Sequence, residues 1–300
     1  MTVSLGAKIY ASDYNVLQST INTVLGVGTG NYGYNQTVLS SQIVSSSGKY
    51  PAIKLRDWVA LRTDIVNAYL HIGSPGNLTI PSVPTNANKV TATDYNNYLA
   101  IVNATYAAST TVPGAGQSSV QVLSTGTRTT SWNGTVTHNV TLTWPDRNSA
   151  RGFFNAGGSI RARASLTGYP TDGSKAKNDD WSKLLSDMGT ISIKFGSVTN
   201  TGTSNVLYTG GFYSIPTSTT LIFQKGASTI TYNPNQYDIY ASLSSDQTAL
   251  TLTISFKDLS LGNPNVDENV EGTLTSIVDA YYSTGPNVQS VLPSVLSTGP

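Results

Sequence analysis

Cysteine is absent from this 300-residue chain. That removes disulfides, thiolate metal sites and thiol nucleophiles at once, and leaves the redox compartment open. Ionic side chains are scarce as well. Charged residues make up 11% of the sequence, against about 25% in an ordinary soluble domain. Glutamate occurs only at Glu268 and Glu271, and histidine only at His71 and His138. The formal net charge of +1 gives no long-range attraction to nucleic acid or to an anionic membrane. No apolar run approaches the ~20 residues of a membrane span, and residues 1–15 lack the apolar core of a secretory signal. Synthesis in the cytoplasm of a cell is expected, whatever the final destination. Gly-x-Ser-x-Gly, Walker and His-Glu-x-x-His patterns are also missing.

In place of charge the chain carries Ser, Thr, Asn, Gly and 17 Tyr. Such surfaces suit adhesins, fibres and coat proteins, whose solubility rests on hydroxyls and amides or on burial within an assembly. The organising stretch is 151–196. Ile160, Ala162, Ala164 and Leu166 alternate with Arg161, Arg163 and Ser165, the period of a half-buried strand. Trp181, Leu184, Leu185 and Met188 then share one face of a helix over Asp179–Met188, with Asn178 or Asp179 at its N-cap and Gly189 after its end. Ile191, Ile193 and Phe195 alternate again, so the helix bridges two strands and its stripe covers one end of a sheet.

Residues 1–110 contain a threefold internal repeat. Asp13-Tyr14, Asp57-Trp58 and Asp94-Tyr95 are each preceded by an extended lead, and Ile21, Ile65 and Val102 lie eight past the Asp. Positions one, four and eight from the Asp trace one stripe of a helix. Three short helices are expected, with Ser12 and Thr93 as N-caps and Arg56 at a weaker one. The Asp sits in the first turn, where a helix dipole favours a carboxylate; capping, not metal binding or acid–base work, is the preferred reading. The bundle is thin, and Tyr14, Trp58 and Tyr95 are expected to need a partner surface, either the following domain or other copies of the chain.

After a linker at 111–117, residues 118–285 read as an antiparallel β-sandwich of about ten short strands. The strands include Val136–Trp144, Tyr237–Leu243, Leu250–Phe256 and Leu274–Tyr282, with Leu221–Phe223 and Ile230–Tyr232 closing a hairpin. The fold class is therefore α+β, mainly β: a small N-terminal helical region followed by a sandwich carrying one helix. Residues 286–300 form an extended arm, in which Val291, Leu292, Val295 and Leu296 are placed to dock on another subunit.

Candidates for chemistry are few. His138 points to an apolar face and reads as a hydrogen-bonded core residue. Asp267 and Glu268 with Asn263, Asn265 and Asn269 form an oxygen-rich loop; its spacing matches no EF-hand, and a solvated loop is preferred to a calcium site. Arg147, Arg151, Arg161 and Arg163 make the one local basic cluster, suited to an acidic neighbour or to a sulfated or uronic-acid glycan, and equally to plain solvent. No catalytic, cofactor or metal residue is assigned.

Two groups of residues carry a resemblance. Ala7–Asn15, Val24-Leu25-Gly26, Asn31-Tyr32-Gly33-Tyr34 and Asp57–Ile65 resemble the N-terminal part of virion structural proteins of tailed phages, of cyanophages especially. Arg151–Arg161 and Asp180–Leu185 are similar to the β-part of the same proteins. The resemblance implies a non-enzymatic virion component of the tail, neck or fibre. It would assemble through the helical region with other virion proteins, as a homo-oligomer with a trimer as the usual fibre arrangement, and would present the sandwich. A capsid decoration protein and an adhesin for a host surface glycan are the alternatives.

Overall fold

The computed structural model describes residues 2–28, 32–44, 52–110, 113–170, 176–260 and 269–300. The oxygen-rich loop from Asn263 to Glu268 lies outside them, as do 29–31 and the first residues of the 111–117 linker. The fold class is the expected one: five helices with two antiparallel sheets among the described residues. The chain divides into two compact units that are not continuous in sequence. The helical unit comprises 1–119 and also 151–158 and 282–291; the β-unit comprises 120–150, 159–281 and 292–300.

The helical unit is built on α1 (Ala11–Leu25), α2 (Leu55–His71) and α3 (Ala92–Ala107). The repeat explains their packing. Counting from each Asp, positions one, four, eight and eleven are Tyr14-Leu17-Ile21-Val24, Trp58-Leu61-Ile65-Ala68 and Tyr95-Tyr98-Val102-Thr105, and all twelve are buried. Each helix is too short to be stable alone, so the three stripes close on one another. The caps lie two residues earlier than Ser12 and Thr93, at Tyr10, Lys54 and Thr91. The reason is the Asp: at the third helical position its carboxylate reaches back to the cap amide, accepting from Tyr10 N at 2.8 Å, Lys54 N at 2.8 Å and Thr91 N at 2.9 Å. Only Thr91 has a side-chain oxygen that returns the bond, to Asp94 N at 3.2 Å. Capping is thus what the repeated Asp does.

The segment 32–44 joins this unit without forming a strand. The amides of Tyr34, Asn35 and Gln36 donate to the carbonyls of Val24, Gly26 and Leu25, and later ones go to side chains: Asp64, fully buried, accepts from Leu39 N at 3.0 Å and Ser40 N at 2.7 Å, and Asn15 exchanges two bonds with Ile43. Segment 151–158 docks on the same loop. Arg151 donates to the Tyr32 carbonyl at 3.2 Å and Asn155 to the Gly33 carbonyl at 3.0 Å. A Cβ on Gly152 would stand 2.8 Å from the Tyr34 carbonyl oxygen, so glycine is required there. Two of the stretches that carry the phage resemblance therefore meet in one contact.

The β-unit is a sandwich. One sheet has the order β1 (Ser118–Arg128), β10 (Thr273–Ser283), β3 (Ser159–Thr167), β4 (Ile191–Ile193), β5 (Val198–Asn200). The other runs β11 (Ser294–Thr298), β2 (Gly134–Thr143), β9 (Ala249–Asp258), β8 (Gln236–Leu243), β7 (Thr220–Gly226), β6 (Val206–Leu207). Val140 and Leu142, Leu250 to Phe256 and Tyr237 to Leu243 bury alternate residues in register. Ile160, Ala162, Ile191 and Ile193 from the first sheet meet Ile222, Ile239 and Leu252 from the second. Helix α5 (Ala176–Met188) buries Trp181, Leu184, Leu185 and Met188 as its spacing required. It starts earlier than Asn178, and Gly189 follows it with φ +65°.

Three expectations are corrected. The hairpin partner of β7 is β8, not 230–232. Residues Ile230–Tyr232 form a short 3₁₀ turn, since Pro234 cannot donate to a ladder while the longer alternation of β8 can. A further helix, α4, covers Arg147–Asn155, opened by Asp146 accepting from Ser149 N at 2.8 Å. Finally, the arm is a strand and not only an extended tail: Ser294–Thr298 pair with Thr143–Asn139 and add β11 to the edge of the chain's own sheet. An open edge at β2 is a row of unpaired amides, and the arm satisfies it.

Candidate functional site

The described residue types that could react are mostly spent. His138 is fully buried, with Nε2 2.9 Å from Ser124 Oγ and Nδ1 2.9 Å from Ser276 Oγ, and it holds the two sheets together. Asp180 accepts from Thr229 Oγ1 at 2.6 Å, and Lys177 lies wholly buried against Asp258 at 3.1 Å. No group of three metal-ligating side chains occurs among the described residues, and no described helix is long and apolar enough to cross a membrane.

The four arginines are held by different partners. Arg161 and Arg163 converge on buried Asp279 across the β3–β10 ladder, Arg161 at 2.5 Å with its guanidinium 5.8 Å from the Tyr281 ring centre. Arg147 donates to Gln247 at 3.2 Å, and Arg151 belongs to the helical unit. Tyr14, Trp58 and Tyr95 need no outside partner. They are buried at 0%, 7% and 1% exposure against one another's helices. The Tyr14 hydroxyl donates to the Asp57 carbonyl at 3.1 Å and the Tyr95 hydroxyl to the Asp13 carbonyl at 3.5 Å, while Trp58 meets Tyr14 edge-on at 5.2 Å and stacks on Tyr98 at 6.1 Å. Burial, then Asp57 and Asp64, push the Tyr14 phenol far up, so it stays a donor. A chain with three copies supplies the partner surface itself, a possibility the repeat contained and the thinness argument overlooked. Leu292 is half-buried and Leu296 is 73% exposed on β11.

What remains open is the end of the bundle where the three helices begin. A hollow of about 780 Å³ is lined by the leads, with Ile9, Ile53, Leu55, Trp58, Val90 and Ala92 as its apolar wall. Ile9, Ile53 and Val90 stand four residues before the three capping aspartates, so the repeat sets them around one mouth. Lys8 and Lys89 are its charged lining residues, and no carboxylate is among them. Leu5, Tyr10 and Val83, each beside a lining residue, are 83%, 63% and 51% exposed. An adjoining hollow of about 520 Å³ shares Lys89 and Val90 and includes Asp94. The sequence signal for this site was present in the positions before each Asp, but periodicity read along the helices does not show which leads converge.

His71 supplies a titration within the same unit. Its Nε2 lies 3.1 Å from the Ala156 carbonyl, which can only accept, so Nε2 carries the proton it donates, and burial favours the neutral ring. Burial lowers its pKa from 6.5 to about 4, against a smaller upward pull from the Ala156 carbonyl. The unfolded chain takes up a proton below pH 6.5 that the folded unit refuses until about 4. This contribution to stability is therefore full above pH 6.5 and is lost as the pH falls through that window, by about 3 kcal/mol in all. Urea unfolding at neutral pH and at pH near 4 measures it, and His71→Phe removes most of the difference. Burial also lowers the pKa of His138, which leaves a residual acid sensitivity in that variant.

Comparison with protein-family models, with curated proteins and with solved structures finds no match to this chain in any of the three. The likeness to phage virion proteins thus rests on the sequence stretches quoted above.

Proposed function

We propose that this chain is a non-enzymatic structural component of a phage virion, of the tail, neck or fibre, that assembles with its neighbours and presents the sandwich. The observation that carries the reading is the state of the sheet edges. Strand β1 is an outer strand with no charge from Ser118 to Thr127, and Val120 and Val122 are 49% and 48% exposed on it. On the other sheet the outer strand β11 is equally uncharged, and its Leu296 is exposed. The two edges adjoin, since a Cβ on Gly126 would press on Pro300. A protein that circulates alone protects such edges with lysine, proline or a bulge. A subunit covered by neighbours does not need to. Asp279 engages both Arg161 and Arg163 and offsets one of their two charges, which weakens the support for a glycan-binding alternative.

The test is location. Mass spectrometry of purified parent particles, separated into heads and tails, is expected to recover the chain in the tail fraction at fixed stoichiometry. Its presence only in lysates of infected cells, or only in the head fraction, overturns the assignment.

A further inference from the structure

We infer that the hollow at the start of the three helices is the docking site for an extended segment of another polypeptide, one that inserts an apolar side chain flanked by Asp or Glu. This deepens the assembly reading above and rests on it for the partner's origin.

Four observations converge on that occupant. The cavity is open and about 780 Å³, and its wall is formed by three equivalent side chains, Ile9, Ile53 and Val90, over the Trp58 ring. A volume of that order accepts one or two large side chains with their main chain. Beside its lining residues stand further exposed apolar side chains, Leu5, Tyr10 and Val83, at 83%, 63% and 51% exposure. A contiguous apolar surface rimmed by polar groups marks an interaction site.

The leads themselves favour an extended guest. Residues Lys8, Ile9, Ile53, Lys89 and Val90 lie outside helix and strand, and their backbone amides make no hydrogen bond among the described residues. An incoming chain can pair with such amides as it would with a sheet edge, gaining main-chain bonds while its side chains enter the cavity.

The charge sets the sign of the partner. Lys8 and Lys89 line the hollow, and Lys54 and Arg56 flank Ile53 and Leu55, while no carboxylate lines it. The nearby Asp13, Asp57 and Asp94 accept from their own cap amides, and Asp57 also lies 3.5 Å from Arg56 Nε, so Lys8 and Lys89 carry the free charge of the hollow. A basic guest would meet unpaired like charge, and a purely apolar one would leave two exposed lysines unused.

The experiment is selection on the whole protein from a displayed library of random linear peptides, followed by fluorescence anisotropy of the enriched sequences. Expected are peptides with an aliphatic or aromatic residue beside Asp or Glu, bound less tightly as salt is raised. Lys8→Glu with Lys89→Glu changes exposed side chains only, so the fold is retained, and binding is expected to weaken about tenfold. Ile53→Asp, checked by circular dichroism, is expected to abolish it. Enrichment of basic peptides, binding indifferent to the lysine reversals, or no enrichment overturns the inference. Self-association that Ile53→Asp disperses overturns it too, because the guest is then a second copy. The particle fractionation stands apart from all of these outcomes: a chain found in tails whose hollow binds nothing keeps the function and loses the site.

Discussion

Asp258→Ala is expected to lower the unfolding free energy of the β-unit by about 3–5 kcal/mol, because it strips the carboxylate from a buried ion pair. Lys177 and Asp258 are both at 0% side-chain exposure, with Nζ 3.1 Å from Oδ2 and 3.0 Å from the Ser260 carbonyl. The pair ties the first turn of α5 to the end of β9. Its cost was met when both charges left water together. Removing one partner leaves an ammonium in the interior without the Asp258 carboxylate, which is far worse than removing both. Lys177→Met with Asp258→Leu is therefore expected to recover most of the loss or all of it. Trp181 lies on the same helix and 5.9 Å from Trp132, so its fluorescence in urea reports the transition. A fall of under about 1 kcal/mol for Asp258→Ala would mean that water reaches the pair and screens it.

Neither member of that pair was visible as such in the sequence. Lys177 belongs to a stretch that reads as a polar loop, and Asp258 lies in phase with the inward Leu250, Leu252, Ile254 and Phe256 without any sign of the cation that meets it. Periodicity finds apolar faces; it says nothing of a charge that is buried because a distant residue neutralises it. The same limit hid Asp64 and Asp279. What periodicity does report was legible: the stripe of α5, the alternation in β2, β3, β8, β9 and β10, and the stripes of the three repeated helices. Helix α4 escaped because residues 149–155 are all buried, polar ones included, so no alternation of apolar and polar faces marks its period. The discontinuity of the units escaped because docking of 151–158 runs through backbone carbonyls at Tyr32 and Gly33, which no side-chain pattern encodes. The candidate site was legible only in part. The repeat places equivalent residues before each Asp, while the convergence of the leads is a tertiary fact.

Trp58→Ala is expected to destabilise the helical unit by about 3–5 kcal/mol, the cost of truncating a core tryptophan. The ring holds α2 against both neighbours, edge-on to Tyr14 and stacked on Tyr98, and such pairs add about 0.5–1.5 kcal/mol each beyond the area they bury. Since Trp58 also floors the open hollow, the truncated site fills with water instead of collapsing. The threefold repeat makes a sharper claim. Tyr14 and Tyr95 occupy the equivalent position in α1 and α3, and each donates to the carbonyl of the capping Asp on a neighbouring helix. Going round the bundle, the remaining step is from position 58 to the Asp94 carbonyl, where tryptophan stacks instead. Trp58→Tyr should complete the ring of hydroxyl donors and cost under about 1.5 kcal/mol, since the new bond, itself about 1 kcal/mol, offsets part of the lost area. Thermal unfolding of the two variants separates the cases. If tyrosine at 58 is as damaging as alanine, the three helices share a sequence pattern but not an equivalent geometry, and the mouth formed by Ile9, Ile53 and Val90 loses its symmetry with them.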